Sequence, residues 1–220
     1  MRRKCTYFGS PWIGMFLKST DNFTFLPIDS VQKLCETVKE NLRTEVVKVN
    51  VGGSNLVGAY VALNSFGAIL PNVATQEELS VFKSAGLNVY QSRERSNAHG
   101  NNICVNDKGG IINPHIPRAE REKLAEVLGV ELVPMHIAKF GTVGSSCIAN
   151  NMGFLVHYAA SNEEVKAISD VLKVGGERGT VNMGAGFVSF GFVQNKHGYI
   201  AGEASSAFEL GRLESALGYI

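Results

Sequence analysis

The chain has 220 residues, of which 45% are apolar and 19% charged, and its formal net charge is +1. This composition excludes a disordered chain, and the near-neutral charge excludes a global basic field that would collect nucleic acid. A chain of this length buries about 70% of the surface that its unfolded state exposes, so it needs neither a disulfide framework nor a structural metal.

The cysteines and the apolar segments bear on where the protein works. The four cysteines, at positions 5, 35, 104 and 147, form no C-x-x-C motif and no zinc-ligand spacing. Reduced thiols of this kind are typical of cytoplasmic proteins. The sequence shows neither a signal peptide nor an apolar run long enough to span a membrane. We therefore expect a cytoplasmic protein with no membrane partner.

One pattern recurs along the chain: an apolar segment, a tight turn and a second apolar segment. Its best example lies at residues 58–71, where Asn64 opens the turn and Gly67 closes it. The equivalent turn positions elsewhere are Asn22, Gly109, Gly153 and Gly198. These five anchors are 42 to 45 residues apart, and a fixed period of this size indicates a repeat architecture.

The first unit sets the order of elements. Its predicted strands cover residues 2–8, 12–17, 23–26 and 45–51. Between the last two, apolar residues from Val31 to Leu42 recur with helical spacing, and Asp29 or Ser30 is the predicted N-cap.

The later units repeat the order strand, strand, helix, strand. Their predicted hairpin strands are 56–63 with 68–70, 102–105 with 110–112, 145–149 with 154–157, and 189–194 with 199–201. Their predicted third strands are 87–91, 130–137 and 179–183. Capping boxes predict helix starts at Thr75, Ser161 and Ser206, and a further helix begins near Arg118. The predicted helix ends are Gly86, Gly129, Gly175 and Gly218.

The fifth unit ends after its helix and lacks a third strand. Residues 4–14 lie in register with residues 48–58, so that Gly9 falls on Gly53 and Gly14 on Gly58. The N-terminal strand therefore completes the fifth unit and closes a ring. We predict a single α/β domain over residues 1–220, a five-bladed pseudosymmetric α/β propeller. Its blade cores are 10–51, 54–93, 100–138, 144–184, and 187–220 with 2–8.

The turns have a structural explanation. Asn at the first position and Gly at the fourth suit a type I turn followed by a residue in the left-handed αL conformation. In the first unit, Ser19 takes the place of the Asn and Asn22 that of the Gly, since Asn also tolerates αL.

Motifs that carry chemistry are missing from the sequence. The glycine-rich segments 52–58 and 174–179 have neither the P-loop nor the dinucleotide-binding spacing. The five histidines are scattered, and no serine has the context of a nucleophile elbow. We expect no catalytic residue, no cofactor and no metal.

Several motifs together resemble the translation initiation factor 6 family. They are residues 52–58 with Asn64, Gly67 and Pro71, then residues 144–157, 179–184 and 195–218. The resemblance covers the whole chain and is closest to archaeal members. It implies the pentein fold, a five-fold pseudosymmetric α/β propeller, and a protein that binds without catalysis. Such a protein binds the large ribosomal subunit and prevents premature association with the small subunit, and a role in large-subunit biogenesis is a further expectation.

The resemblance also implies partners and contact residues. The partners are ribosomal protein uL14 and the vicinity of the sarcin–ricin loop rRNA, with release by a Shwachman–Bodian–Diamond family protein and a translational GTPase. The chain is expected to be a monomer. The ribosome-binding residues carried over are Ala59, Asn64, Asn101, Asn106 and Asp107. For the turn asparagines, a purely structural role stays open as the alternative.

The alternative function is enzymatic. The pentein ring also hosts guanidine-modifying hydrolases and amidinotransferases, which use a cysteine nucleophile near the C-terminus. The chain has no cysteine after Cys147, which disfavours this alternative.

Overall fold

Five three-stranded sheets surround a central axis in the computed structural model, which describes residues 3–220. The inner strands are β2 (Lys18–Ser19), β5 (Ala62–Leu63), β8 (Ile103–Val105), β11 (Cys147–Ala149) and β14 (Phe192–Asn195). The middle strands are β3 (Phe23–Leu26), β6 (Gly67–Leu70), β9 (Gly110–Ile112), β12 (Gly153–His157) and β15 (Gly198–Gly202). The outer strands are β4 (Glu45–Lys48), β7 (Asn88–Gln91), β10 (Leu132–Pro134), β13 (Gly175–Gly179) and β1 (Arg3–Cys5).

Inner and middle strands form antiparallel hairpins, whereas the outer strand runs parallel to the middle strand. The parallel connection requires a crossover, and a long helix provides it in each blade. These helices are α2 (Gln32–Leu42), α4 (Gln76–Ser84), α6 (Arg118–Leu128), α8 (Asn162–Leu172) and α9 (Ala207–Ala216).

The predicted ring closure is confirmed. β1 pairs in parallel with β15, with Arg3 opposite Ile200 and Cys5 opposite Gly202. The first strand of the chain is therefore the outer strand of the fifth blade. The predicted strand was longer: it extended to residue 8, and its first residue, 2, lies outside the described residues.

The apolar core is divided among the boundaries between blades. At one boundary, Phe25 of the first sheet stacks on Phe82 of α4, with ring centroids 4.3 Å apart. Four further clusters of buried side chains occupy the other boundaries. A single blade cannot bury its own faces, so the ring is stabilised as a unit.

Each inner strand is preceded by a short helix that the sequence did not predict. These are α1 (Ile13–Phe16), α3 (Val57–Tyr60), α5 (His99–Asn102), α7 (Val143–Ser146) and a 3₁₀ helix (Val188–Gly191). The strands predicted at 12–17, 56–63, 145–149 and 189–194 are wrong over these residues. The short helices pack side by side around the axis, where the backbones approach closely: a Cβ on Gly58 would lie 2.0 Å from the Gly14 carbonyl oxygen, and one on Gly100 2.0 Å from that of Gly58.

The glycines that close the turns lie where a turn and a neighbouring helix approach each other closely. The prediction that they adopt the αL conformation is wrong, because none of Gly67, Gly109, Gly153 and Gly198 has positive φ. Instead, a Cβ on Gly67 would lie 2.2 Å from the Val127 carbonyl oxygen of the next blade's helix.

In the first blade the predicted alignment of the turn is wrong by one residue. The equivalent pair is Thr20 and Phe23, whose N–H and carbonyl oxygen form the same turn bond, 2.8 Å long.

Helix boundaries were predicted in part. The capping boxes at Thr75, Ser161 and Ser206 are confirmed. The N-cap of α2 is Val31 rather than Asp29 or Ser30. In the fourth blade, Lys173 adopts αL and ends α8 early, so Gly175 begins β13 and the strand predicted at 179–183 is wrong. The strand predicted at 130–137 is shorter, at Leu132–Pro134.

Candidate functional site

The hairpin turns between inner and middle strands all lie at one end of the ring, which we call the turn end (residues 20–23, 64–67, 106–109, 150–153 and 195–198). Four of the five turns begin with a buried asparagine, and the side-chain oxygen of each accepts N–H bonds from its own turn. That leaves the side-chain NH₂ group of each asparagine free to bond outside the turn.

These NH₂ groups join neighbouring blades in a ring of bonds that we call the asparagine collar (Asn64, Asn106, Asn150 and Asn195). Asn64 Nδ2 donates to the Asn106 carbonyl at 3.2 Å and to the Leu128 carbonyl at the end of α6 at 2.8 Å. Asn106 Nδ2 donates in the same way to Asn150 at 3.0 Å and to Leu172 at 2.9 Å. Each amide therefore fixes the next turn and also satisfies a carbonyl that the next helix leaves unpaired.

The collar continues around the ring with two variations. Asn150 Nδ2 donates to the Gln194 side chain at 2.9 Å instead of to the next turn carbonyl. Asn195 Nδ2 donates to the Thr20 carbonyl at 3.1 Å and to that of Leu42 at 2.8 Å, across the seam where the ring closes. Thr20 holds its own turn through its hydroxyl but has no amide to donate to the second blade.

A second set of bonds joins the residues that follow the collar. The Asp107 carboxylate accepts from the Ser65 N–H at 2.9 Å, from the Ser65 hydroxyl at 2.8 Å and from Asn151 Nδ2 at 2.7 Å. Asp107 also donates its own N–H to Asn151 Oδ1 at 3.0 Å. Its carboxylate thus bridges three successive blades.

The structure does not bring the five predicted contact residues together. Asn64, Asn106 and Asp107 lie at the turn end, after strands β5 and β8. Ala59 and Asn101 lie in the short helices before those strands, and therefore at the opposite end. Ala59 is 6% exposed, Asn64 6% and Asn106 4%, so their side chains face other parts of the ring rather than a partner. The structural role of the turn asparagines is confirmed, and ribosome contact stays a prediction for all five residues.

The sequence motifs did not single out the side chains that the turn end presents to solvent. Phe66 and Met152 are 46% and 41% exposed, and Lys108 and His197 are also exposed. They occupy the third position of their turns, two residues after each collar asparagine. The repeat itself marked this position, but the motifs drew attention to the asparagines instead.

At the opposite end of the ring, glutamate side chains bond to the turns between blades. The inter-blade turns at residues 52–53, 138–139 and 182–184 all have positive φ. A glutamate at the third position of the following helix accepts hydrogen bonds from backbone N–H groups of these turns. Glu78 accepts from the Gly52 N–H at 2.8 Å, and Glu164 accepts from the Ala138 N–H at 3.0 Å. Because the same glutamate completes the capping box of its helix, one carboxylate locks a helix start to an inter-blade turn.

Two thiols lie at the axis of the ring. Cys104 and Cys147 line an axial cavity, and burial, with a further contribution from Cys104, raises the pKa of the Cys147 thiol well above its usual value. A nucleophilic cysteine needs the opposite shift. Within residues 3–220, no group of three or more His, Cys, Asp or Glu side chains is placed to hold a metal ion. None of the helices in that range has the length and apolar character of a membrane span.

Comparison with known proteins identifies the family. The eIF-6 family model matches residues 2–216. Translation initiation factor 6 of Picrophilus torridus is 34% identical over 217 residues, covering 99% of this chain and 100% of the relative. The factor of Pyrobaculum arsenaticum is 35% identical over 211 residues, with 96% of each chain covered, and that of Pyrococcus horikoshii is 32% identical over 217 residues, again with 96% of each covered. The chain therefore belongs to the eIF-6 family of translation factors, and its five-bladed ring is the pentein fold.

Proposed function

We propose that this protein binds the large ribosomal subunit through its turn end and thereby prevents premature association with the small subunit. The observation that carries the proposal is the family match, which runs from residue 2 to residue 216, together with archaeal relatives that bear the name translation initiation factor 6 over nearly their full length. A role in large-subunit biogenesis would follow from binding the same surface before the subunit is mature.

The geometry of the turn end supports docking as a rigid body. The collar and the Asp107 bonds tie the turns of successive blades to one another and to helix ends. A surface held in this way loses little conformational entropy on binding, and so more of the contact energy remains as affinity. Phe66 and Met152, exposed among polar neighbours, are the kind of apolar anchor that protein interfaces use.

The partners that we propose are ribosomal protein uL14 and the adjacent sarcin–ricin loop rRNA. With a formal net charge of +1, the chain is suited to a dock centred on protein more than on RNA. Binding should therefore depend only weakly on salt, since few phosphate charges are neutralised. Release would need a further factor, and we propose a Shwachman–Bodian–Diamond family protein with a translational GTPase.

The best test variants are exposed residues, because replacing Asp107 would also break bonds to Ser65 and Asn151. The double variant Phe66→Glu with Met152→Glu changes the turn end. Met183→Glu is the matched control: Met183 is 77% exposed and lies in the inter-blade turn 182–184 at the opposite end.

Purified archaeal large subunits are sedimented with each protein, and the bound fraction is measured. We expect the wild-type protein and Met183→Glu to co-sediment equally and the double variant to bind at least tenfold more weakly. All three proteins should give the same circular dichroism spectrum. Absence of wild-type binding would contradict the proposed function. Loss of binding in Met183→Glu alone would place the contact at the opposite end of the ring.

A further inference from the structure

Two cavities follow one another along the axis of the ring. The outer one opens at the turn end between the collar residues, and we call it the vestibule. The inner one lies deeper, between the inner strands and the short helices, and we call it the inner chamber. One residue from each blade borders both cavities, namely Ser19, Leu63, Val105, Ala149 and Gln194. The inner chamber is therefore reached through the vestibule.

The inner chamber contains a single charged side chain. Of the residues that line it, only Lys18 carries a charge, and no aspartate or glutamate is among them. The lining combines apolar side chains such as Leu17, Ile103 and Phe192 with the thiols of Cys104 and Cys147 and the uncharged polar residues Ser19, Ser189 and Gln194. Lys18 forms no ion pair with any carboxylate in residues 3–220.

The polar groups near Lys18 do not replace a counter-ion. The Ser19 hydroxyl is bonded to the Thr20 carbonyl at 2.9 Å and lies 2.9 Å from the Thr24 hydroxyl. The Gln194 side chain accepts from Asn150 and donates to the Ala149 carbonyl at 2.7 Å. These groups are already paired, and none of them carries a negative charge.

An unpaired ammonium in such a place is costly. Burial lowers the pKa of Lys18, and the nearby Cys104 thiol offsets this only in part. Lys18 is half-buried and lines the chamber. A charge that is partly removed from water is normally paired, because losing hydration without gaining a partner is unfavourable. The chamber has a volume of about 70 Å³, larger than the ~10–15 Å³ that one water requires, so a small ion fits beside the amine.

We propose that the inner chamber is a binding site for one small inorganic anion of halide or nitrate size, held against the Lys18 ammonium. The anion would enter from the turn end and stabilise the ring at its axis, where all five blades meet. The walls of this site lie inside the ring, so anion binding can be measured on the free protein without ribosomal subunits.

Bromide locates the site directly, because its anomalous scattering identifies it in a crystal. Crystals of the wild-type protein, of Lys18→Met and of Lys166→Met are soaked in sodium bromide. Lys166 is an exposed residue of α8, so its replacement removes one surface charge and is the matched control. We expect a bromide peak within about 3.5 Å of Lys18 Nζ in the wild-type and Lys166→Met proteins and none in Lys18→Met.

Thermal unfolding tests the same site in solution. Bromide replaces gluconate, which is too large for the chamber, at constant ionic strength. Binding to the folded state alone raises the melting temperature in a saturable manner. We expect this rise in the wild-type and Lys166→Met proteins, and its loss in Lys18→Met. A wild-type crystal without a bromide peak in the chamber overturns the proposal whether or not Lys18→Met folds. A peak that persists in Lys18→Met would overturn the role of the lysine.

Discussion

The asparagine collar makes one perturbation especially informative: Asn106→Asp, which changes an NH₂ group to an oxygen and almost nothing in shape. In the native protein, Asn106 Nδ2 donates to the carbonyl oxygens of Asn150 at 3.0 Å and Leu172 at 2.9 Å. In the variant, a carboxylate oxygen faces both. The Oδ1 bonds to the Lys108 and Gly109 N–H groups remain. The variant therefore tests the links to the next blade and spares the turn.

The expected loss can be estimated from those two bonds. Asn106 is 4% exposed, so water does not readily replace the lost donors. Leaving two buried carbonyl groups unpaired at about 1–3 kcal/mol each gives a loss of about 4 kcal/mol in the free energy of unfolding. Burial and the facing carbonyl oxygens also raise the pKa of the new carboxyl group. Once protonated, the acid can donate one bond, so the loss should be smaller at pH 5 than at pH 8.

Urea unfolding followed by circular dichroism measures this loss, with the wild-type protein compared with each variant at each pH. The matched control is Asn22→Asp, since Asn22 is an exposed residue of the equivalent turn in the first blade. An exposed substitution of this kind should change stability by no more than about 0.5 kcal/mol. If Asn106→Asp cost less than about 1 kcal/mol, or no more than Asn22→Asp, the collar would not hold the blades together.

Three further predictions concern stability and are measured by the same urea unfolding. Gly109→Ala should lower the free energy of unfolding by about 3 kcal/mol, because the new Cβ would lie 2.0 Å from a helix carbonyl oxygen. Gly211→Ala is the control: its Cβ would have nothing within 4 Å, and the change should raise the free energy of unfolding by about 0.5–1 kcal/mol. Equal effects of the two substitutions would contradict the close-approach explanation. Burial lowers the pKa of His99 from 6.5 to about 4, so the unfolded chain binds a proton that the folded chain refuses, and stability should fall by roughly 3 kcal/mol as the pH drops from 6.5 to 4. His99→Leu should remove this part of the pH dependence, and an unchanged slope would show that another group causes it. Glu164→Gln should cost about 1–2 kcal/mol, because a neutral amide accepts the N–H groups of the 138–139 turn and of its own helix start less strongly; a loss below about 0.5 kcal/mol would contradict the locking role.

The architecture could be predicted from the sequence because the sequence contains a repeated unit. A turn at nearly constant spacing gave the number of blades, and the register of Gly9 with Gly53 and of Gly14 with Gly58 showed which strand closes the ring. Capping boxes located three of the long helices, since their bonds are local in sequence. In each case the deciding interactions lie within a few residues or recur in every unit.

The short helices could not be predicted because a segment of four residues is too short to show a helical period. The segments at residues 13–16 and 57–60 resemble strand as much as helix, and their conformation is decided by the neighbouring blades that pack against Gly14 and Gly58. The misalignment in the first blade has a similar cause. Asn22 matched the motif by residue type, whereas the hydrogen bonds of the turn are formed by Thr20 with Phe23.

The candidate site was predictable only in part. The sequence identified Asn64 and Asn106 as turn residues, but their amide partners lie 42 to 66 residues away. No local pattern shows that one side chain both closes its own turn and bonds to the next blade. The collar therefore emerges only once the ring is assembled, and with it the reason why these asparagines are buried rather than presented to a partner.

Subunit joining tests the central claim most directly. Purified archaeal large and small ribosomal subunits are mixed at a magnesium concentration that supports joining, and light scattering follows the formation of the joined particle as the protein is added. We predict that the wild-type protein abolishes joining at saturation with the large subunit, and that added small subunits do not displace it. Unhindered joining in the presence of saturating protein would contradict the account.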